Sequence, residues 1–368
     1  MPPRVTAAIR FHMNQDDLTH ITSGQAGIKD HDPTAPSRKQ DHIELAFRSR
    51  VSGQELDDRF SYEPLLAAHP GTSQFGPFPF AGKQLDAPVW VSSMTGGTQW
   101  ASHINANLAR ACREFGMGMG LGSCRSLLTS DEYLADFHVR PIMGPDLPLY
   151  ANLGVAQVEQ LFRERRTDLI DRMLDKLSAD GLIVHVNPLQ EWLQPEGDRF
   201  EVPPIETIER LLEHMERPVI VKEVGQGMGR ESLRRLLMLP LAAIEFAAAG
   251  GTNFALLELM RADPAALEAW QELARVGHSA PEMAGLVNEL VAELADELAC
   301  QQVIASGGVR HFLDGYYLIR TLNLPTVYGQ ASAFLKHARE DYETLRDRVE
   351  AQIEGLKVAF AYLTIKES

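Results

Sequence analysis

The fold predicted from this sequence is an α/β barrel of the TIM type, (β/α)8, with an N-terminal extension. One observation is a repeated unit, made of a short apolar run, a turn rich in glycine or asparagine, and a segment with apolar residues at helical spacing. Another is that the unit occurs eight times, which indicates parallel strands buried on both faces. A third is that polar residues follow most of the runs, where a barrel collects its functional residues. An open, doubly wound sheet is the competing architecture.

Eight apolar runs are the predicted strands, and helical patterns such as INANLARACREF and IETIERLLEHM separate them. In chain order the strands are APVWVSS (87–93), MGMGLGS (117–123), PLYANLG (148–154), GLIVHVN (181–187), PVIVKEV (218–224), LAAIEFA (241–247), QQVIAS (301–306) and PTVYGQ (325–330). The spacing is loose only between the sixth and seventh strands. Residues 255–300 hold two helical patterns there, which predict an enlarged excursion from the barrel.

The chain is expected to have two parts. Residues 1–36 are polar, show no clear period and end in a segment punctuated by proline and aspartate, so they predict an extension or arm. Residues 37–368 form the predicted barrel domain, since barrels of this size occur as one domain.

Charge and cysteine content argue against several classes of function. The net charge is −15, which disfavours nucleic acid and anionic membranes as partners, because both require clustered lysine and arginine. A few local cations can still bind a small anionic substrate. The three cysteines form no CxxC pair, and neither a signal segment nor a long apolar run occurs, so a cytoplasmic protein is expected.

The most unusual segment is IVHVNPLQEWLQPEGDRF, residues 183–200, because a buried strand ends there among many hydrogen-bonding side chains. A strand that leads into a polar loop is how a barrel builds an active site, but solvated loops are polar too. Polarity alone leaves both interpretations open.

The segment SGGVRHFLDG places two glycines between the seventh strand and the following helix. Glycines let backbone N–H groups approach an anion, so this turn predicts a phosphate site. An ordinary tight turn is the alternative.

Two cationic features have both a structural and a functional interpretation. Lys222 lies inside the apolar run VIVKEV, so it either forms a salt bridge in the core or faces the barrel interior and stabilises a negative charge. Arg38, Lys39 and His42 begin the amphipathic segment SRKQDHIELAF. They are either a solvated helix end or a clamp for a phosphate over the barrel mouth.

These motifs together resemble those of the type 2 isopentenyl-diphosphate isomerases, which are FMN-dependent barrel enzymes of isoprenoid biosynthesis. The resemblance runs from about residue 37 to residue 336, and the segment after the fourth strand is its most specific part. The motifs occur in the family's order: RKQDH, SSMTGG, GSCRS, ANLG, HVNPLQEWLQPEGD, PVIVKEVG, AGGTNF and ASGGVR.

The resemblance implies a role for individual residues. Gln190 would reach the hydrocarbon end of the substrate, Glu191 would hold Mg²⁺, and Gln190, Lys222 and His185 would act in catalysis. The residues implied in substrate binding are Arg38, Lys39, His42, Ser123, Arg125, Asn187 and Gln190. Those implied in FMN binding are Ser93, Met94, Thr95, Ser123, Asn152, Lys222, Thr252, Gly307, Gly308, Val309, Arg310, Ala331 and Ser332.

The resemblance also implies a reaction, the conversion of isopentenyl diphosphate into dimethylallyl diphosphate without net oxidation or reduction. Reduced FMN would be the acid and base, NADPH would serve only to reduce it, and Lys222 would favour the anionic reduced flavin. The expected assembly is a homo-oligomer, either a tetramer or an octamer.

Three departures from the family pattern keep alternatives open. Glu245 and Ala247 stand in IEFAAAGGTNF, where the family usually shows an Asp-Val-Ser-Gly type of sequence, and Cys124 stands where a glutamine is common. The eighth strand, PTVYGQASAFL, also differs from the usual alanine- and glycine-rich version. The alternatives are an FMN-dependent 2-hydroxy-acid oxidase and a flavin-binding paralogue that is inactive or regulatory.

Overall fold

The structure, a computed structural model, describes residues 35–71, 75–93 and 99–366. Met94 and Thr95 lie outside the described residues, as does nearly all of the predicted arm. The division of the chain at residue 36 therefore stays a prediction.

Eight parallel strands close into a barrel, in which each strand pairs with the next along the chain and the eighth pairs with the first. This confirms the predicted barrel over the open sheet, and every strand lies inside its predicted run. The strands are β1 Val89–Val91, β2 Gly118–Gly120, β3 Leu149–Gly154, β4 Gly181–His185, β5 Val219–Lys222, β6 Ala243–Glu245, β7 Val303–Ser306 and β8 Thr326–Gln330.

Helices follow the strands and cover the outside of the barrel. The α-helices are Ala35–Leu45, Gln99–Phe115, Leu134–Phe137, Arg140–Met143, Val155–Arg163, Asp168–Leu177, Pro188–Leu193, Pro204–His214, Arg230–Leu237, Phe254–Arg261, Pro264–Trp270, Ala280–Leu294, Phe312–Thr321, Ser332–Ala338 and Tyr342–Tyr362. Short 3₁₀ turns occur at Gly53–Glu55, Arg125–Leu128, Leu273–Arg275 and Ala295–Glu297. No helix in the described ranges has both the length and the apolar character that crossing a bilayer requires.

The enlarged excursion between β6 and β7 is confirmed, but it contains three α-helices, so the prediction of two helical patterns in it was wrong. The extra boundary comes at Asp263, whose side chain accepts a hydrogen bond from Ala266 N at 2.8 Å and so caps a new helix. Pro264 then occupies the first helical position, where its missing N–H costs nothing.

The amino-terminal end of the barrel is filled by aromatic side chains. Trp90 is fully buried, and its ring leaves no room for a side chain at Gly118, where a Cβ atom would lie 2.2 Å from the indole. Tyr150 and Phe80 pack on Trp90 with ring centroids 6.0 and 6.1 Å away. The glycines of β2 therefore serve packing, and the open end of the barrel is the carboxyl end.

Two short strands outside the barrel join distant parts of the chain. Phe60–Tyr62 pairs antiparallel with Leu363–Ile365, which follows the last helix. Phe60 also packs on Tyr316 of the helix after β7, with ring centroids 5.7 Å apart. This pairing holds the segment before the barrel against the helix that follows the predicted phosphate turn.

Candidate active site at the carboxyl end of the barrel

A cavity of about 330 Å³ opens at the carboxyl ends of β1 and β5 to β8. This volume lies within the range of about 300–1,000 Å³ that is typical of small-molecule sites. Nine of the predicted cofactor residues line the cavity, namely Ser93, Lys222, Thr252, Gly307, Gly308, Val309, Arg310, Ala331 and Ser332.

Two glycine turns form one wall of this cavity. Gly307 has a φ of 91°, and a Cβ atom there would lie 2.1 Å from the backbone nitrogen of Ala248, so only glycine fits. Gly250, in the turn after β6, faces Gly308 so closely that its Cβ atom would lie 3.2 Å from the Gly308 Cα. This wall therefore presents backbone to the cavity, which is the arrangement that suits a bound phosphate.

Asp314 holds the turn that leaves β7. Its Oδ2 accepts a hydrogen bond from Arg310 N at 3.1 Å, and its Oδ1 accepts one from Arg59 Nη1 at 2.9 Å. Burial would raise the pKa of Asp314, but these hydrogen bonds hold that pKa below its usual value. Arg59 precedes the strand Phe60–Tyr62, so the outer support of the turn comes from a distant part of the chain.

Four buried polar atoms that face the cavity have no hydrogen-bond partner among the described residues. They are Ser92 Oγ, Ser93 Oγ, Glu245 Oε2 and Gln330 Oε1. Buried polar groups are rarely left without a partner, so these atoms indicate a polar ligand. None of Ser92, Glu245 and Gln330 was predicted as a site residue, although each is a polar residue in or at the end of an apolar run.

Lys222 ends β5 with its side chain in the cavity wall, and only 6 % of the residue is exposed. Its Nζ donates a hydrogen bond of 2.7 Å to Glu223 O. Among the described residues no carboxylate lies within 4.0 Å of this Nζ, so the salt bridge considered from the sequence is not present there. The ammonium group keeps further donors for a ligand, since it carries three.

His185, at the end of β4, is the neighbour of Lys222 in the strand register. Its Nδ1 lies 2.7 Å from Asn152 Oδ1, while Asn152 Nδ2 donates to Leu121 O at 3.1 Å. Burial and the charge of Lys222 lower the pKa of His185 to about 3. The ring is therefore neutral near pH 7, with the proton on Nδ1 and an acceptor at Nε2. Neither His185 nor Asn152 lines the cavity itself.

The polar loop after β4 is organised around Glu191, which is 8 % exposed. Glu191 Oε1 accepts a hydrogen bond from Asn187 Nδ2 at 2.9 Å, and Oε2 accepts one from Asp198 N at 2.7 Å. Both ends of the loop are thus tied to one carboxylate. Asn187, Glu191 and Asp198 therefore belong to a folded network, whereas Glu196 and Arg199 are exposed.

Gln190 connects this loop with the excursion after β6. Its Nε2 donates to Glu258 Oε1 at 3.2 Å, and its Oε1 accepts from Asn187 Nδ2 at 3.1 Å. Glu258 is 4 % exposed and was not singled out in the sequence. The signal available in the sequence was a single carboxylate among the apolar residues of FALLELMR.

Arg125 lies beside the same loop, in the 3₁₀ turn after β2. Its Nη1 donates to Asp198 Oδ2 at 2.8 Å, and Asp198 Oδ2 also accepts a hydrogen bond from Gln157 Nε2 at 2.8 Å. The Arg125 side chain is 56 % exposed and can reach a ligand from outside. Ser123 is exposed as well and does not line the cavity.

The N-terminal cations are not brought to the cavity. Arg38, Lys39 and His42 lie on the exposed helix Ala35–Leu45, and none of them is part of the cavity lining. Their role in substrate binding stays a prediction.

The described residues contain no group of three His, Cys, Asp or Glu side chains that is placed to hold a metal ion. Glu191 is nevertheless suited to Mg²⁺, which is commonly bound by one or two carboxylates together with substrate phosphates. Each of its oxygens accepts one hydrogen bond from the protein and has a second lone pair.

Curated proteins include close sequence relatives of this chain, whereas no protein-family model matches it. The chain is 34 % identical over 324 residues to an isopentenyl-diphosphate delta-isomerase of Rickettsia felis, across 87 % of this chain and 90 % of the relative. It is 33 % identical over 328 residues to the enzyme of that name from Rickettsia akari, across 88 % and 92 %.

Solved structures with a similar fold are flavin enzymes of another kind. A mandelate oxidase variant with a monooxide FMN adduct superposes with a TM-score of 0.54 at 16 % identity, covering 91 % of this chain and 100 % of that chain. A flavocytochrome b2 variant with benzoylformate has a TM-score of 0.55 at 15 % identity, covering 82 % and 71 %. At this identity the likeness shows the fold alone.

Proposed function

The chain belongs to the family of isopentenyl-diphosphate delta-isomerases, and from that membership we propose that it converts isopentenyl diphosphate into dimethylallyl diphosphate with the help of FMN and Mg²⁺. The observation that carries the proposal is the cavity at the carboxyl end of the barrel. It combines a backbone wall of glycines, a buried lysine and four polar atoms that have no partner within the described ranges.

FMN fits the residues that line this cavity. Its phosphate would lie against the Gly307–Gly308 and Gly250–Gly251 turns and Ser332, where no side chain blocks the backbone. Lys222 would contact the flavin ring, and the unpaired oxygens of Ser93 and Gln330 would gain partners. Reduced FMN, when bound, would supply the acid and base for moving the double bond, and NADPH would be its reductant.

The substrate diphosphate would be bound outside the flavin by Arg125, with Arg38, Lys39 and His42 closing over it. Glu191 would provide a carboxylate ligand to a Mg²⁺ ion whose other ligands come from diphosphate oxygens and water. The network of Asn187 and Asp198 around Glu191 would keep that carboxylate in place before the ion arrives.

Gln190 would face the hydrocarbon end of the substrate. Its amide is held from both sides by Asn187 and Glu258, so its orientation is fixed without the substrate. His185 would donate its Nδ1 hydrogen to Asn152 Oδ1. Its neutral Nε2 could then act only as a hydrogen-bond acceptor toward a bound ligand.

Two other functions have weaker support. A 2-hydroxy-acid oxidase shares the barrel, but its solved examples are 15–17 % identical to this chain, against 34 % for the isomerase of Rickettsia felis. The segment EFAAAGGTNF also has neither the His-Gly-x-Arg base nor the carboxylate clamp expected after the lysine strand in such oxidases. An inactive flavin-binding paralogue would hold FMN and show no turnover.

The experiment is an anaerobic isomerase assay with oxidised FMN, repeated after reduction by dithionite or by NADPH. We expect turnover only after reduction, although the reaction consumes no electrons. Equal rates in both states would contradict the role of the reduced flavin, and no rate in either state would favour the paralogue. We also propose a homo-oligomer, a tetramer or octamer, which light scattering measures directly.

A further inference from the structure

Glu245 is the one residue of the described cavity lining that combines a carboxylate, complete burial and an oxygen without a partner. It is 0 % exposed, its Oε1 accepts a hydrogen bond from Ser306 Oγ at 3.1 Å, and its Oε2 has no partner in the part of the chain that the structure describes. A buried carboxylate oxygen without a donor is costly, because its hydration is lost and nothing replaces it. The missing donor is therefore expected on a ligand.

The position of Glu245 shows which part of a ligand it faces. Its neighbour in the strand register on β5 is Lys222, and on β7 Ser306 donates to it. The chain continues from Glu245 through Ala247 and Ala248 into the turn that packs against Gly307 and Gly308. Glu245 thus lies between the turns that suit a phosphate and the lysine that suits a flavin ring.

Chemistry excludes two of the groups that could fill this position. An ionised isopentenyl diphosphate carries no hydrogen-bond donor, and a phosphate of FMN would be repelled by a carboxylate. The flavin ring carries an N–H donor, but Glu245 lies between the glycine turns and the lysine, where the chain that joins phosphate and ring would pass. That ribityl chain has hydroxyl groups, which are donors. Resting on the proposed function, we infer that Glu245 binds a ribityl hydroxyl of FMN through Oε2 and so selects a flavin with a hydroxylated chain.

The test is a binding cycle with full-length apoprotein, in which dissociation constants are measured by flavin fluorescence. The ligands are FMN and three FMN analogues that each lack one ribityl hydroxyl. The proteins are the wild type, Glu245→Ala, the isosteric Glu245→Gln, and Glu354→Gln, which removes an exposed carboxylate paired with Lys357.

We expect Glu245→Ala to weaken FMN binding roughly 10- to 150-fold, the effect of losing a hydrogen bond to a charged group. Glu245→Gln keeps an acceptor and should weaken it on the order of fivefold, and Glu354→Gln should leave it unchanged. One of the three analogues should bind the wild type about as weakly as FMN binds Glu245→Ala. That analogue should bind Glu245→Ala no more weakly than it binds the wild type.

The inference would be overturned if each of the three analogues bound Glu245→Ala more weakly than the wild type by the same factor as FMN does. The carboxylate and the missing hydroxyl would then not be partners. If Glu245→Ala does not fold, the same comparison is made with Glu245→Gln, where coupling on the order of fivefold is expected and its absence overturns the inference. A wild-type protein that does not bind FMN would instead refute the proposed function.

Discussion

The Nδ1 of His185 lies 2.7 Å from Asn152 Oδ1, and this contact fixes which ring nitrogen carries the proton. The Asn152 amide is itself oriented, since its Nδ2 donates to Leu121 O at 3.1 Å. Its oxygen therefore faces the histidine, and Nδ1 must be the donor. A neutral ring is kept in one tautomer by a chain of two hydrogen bonds across β2, β3 and β4.

The lowered pKa of His185 should make the protein less stable in mild acid. Its pKa is about 3 in the folded protein, against about 6.5 in an unfolded chain, so only the unfolded chain takes up this proton between those values. Folding free energy is therefore lost as the pH falls below about 6.5, at up to about 1.4 kcal/mol per pH unit.

His185→Asn removes this group, so its loss of stability between about pH 7.5 and about pH 5 should be smaller by on the order of 2 kcal/mol. Urea unfolding at both pH values measures the difference. His138→Asn replaces an exposed histidine and is the control. Parallel losses in the wild type and His185→Asn would contradict the low pKa of His185.

Glu191→Gln should impair substrate binding and leave FMN bound. The variant replaces one of two acceptor oxygens by an NH2 group, so the loop loses the hydrogen bond from Asn187 Nδ2 or the one from Asp198 N. The proposed Mg²⁺ also loses its carboxylate. We expect kcat/KM to fall on the order of 10²-fold with a weaker dependence on Mg²⁺. An unchanged rate and an unchanged Mg²⁺ dependence would show that Glu191 serves only the loop.

Arg38→Ala should raise KM for isopentenyl diphosphate by roughly 10- to 150-fold with the FMN content unchanged, because one charge-assisted hydrogen bond is lost. Arg48→Ala is the matched control, since Arg48 is exposed just after the same helix. Lys222→Ala should have the opposite pattern, changing kcat and flavin reduction more than KM. If Arg38→Ala matches Arg48→Ala in every parameter, the cluster is a solvated helix end.

Gly307→Ala should disrupt the cavity wall that the two glycine turns form. The new methyl group would lie 2.1 Å from both N and O of Ala248, at a φ of 91° that alanine rarely adopts. We expect a loss of about 3 kcal/mol or more in unfolding free energy and loss of bound FMN. Gly285→Ala, inside the helix Ala280–Leu294 with no atom within 4 Å of its Cβ, should instead gain about 0.5–1 kcal/mol. Thermal unfolding of both variants measures these changes. A Gly307→Ala protein that is as stable as the wild type and contains FMN would show that this position tolerates a side chain.

The barrel could be predicted from the sequence because parallel strands buried on both faces leave continuous apolar runs. Lys222 and the Gly307–Gly308 turn could be placed in the site for the same reason, since a residue's position at a strand end fixes its position at the barrel mouth. Glu245 carried an equally clear signal, a carboxylate inside the run LAAIEFA.

Contacts between distant segments could not be predicted in this way. Gln190 meets Glu258 across 68 positions, and Arg59 meets Asp314 across 255. Such pairs depend on how loops and excursions fold back over the barrel, and periodicity contains no information about that. The helix that carries Arg38 has the same limitation, because an exposed helix has no strand register to fix where it docks.

The pairing of Phe60–Tyr62 with Leu363–Ile365 has a consequence for how the protein is made. During synthesis the strand Phe60–Tyr62 emerges from the ribosome long before its partner. Arg59, beside that strand, can contact Asp314 only after the helix Phe312–Thr321 has been made. The outer support of the turn after β7 is therefore completed only when nearly all of the described chain has been synthesised. A nascent chain would therefore contain all eight barrel strands before the outer support of this turn is complete.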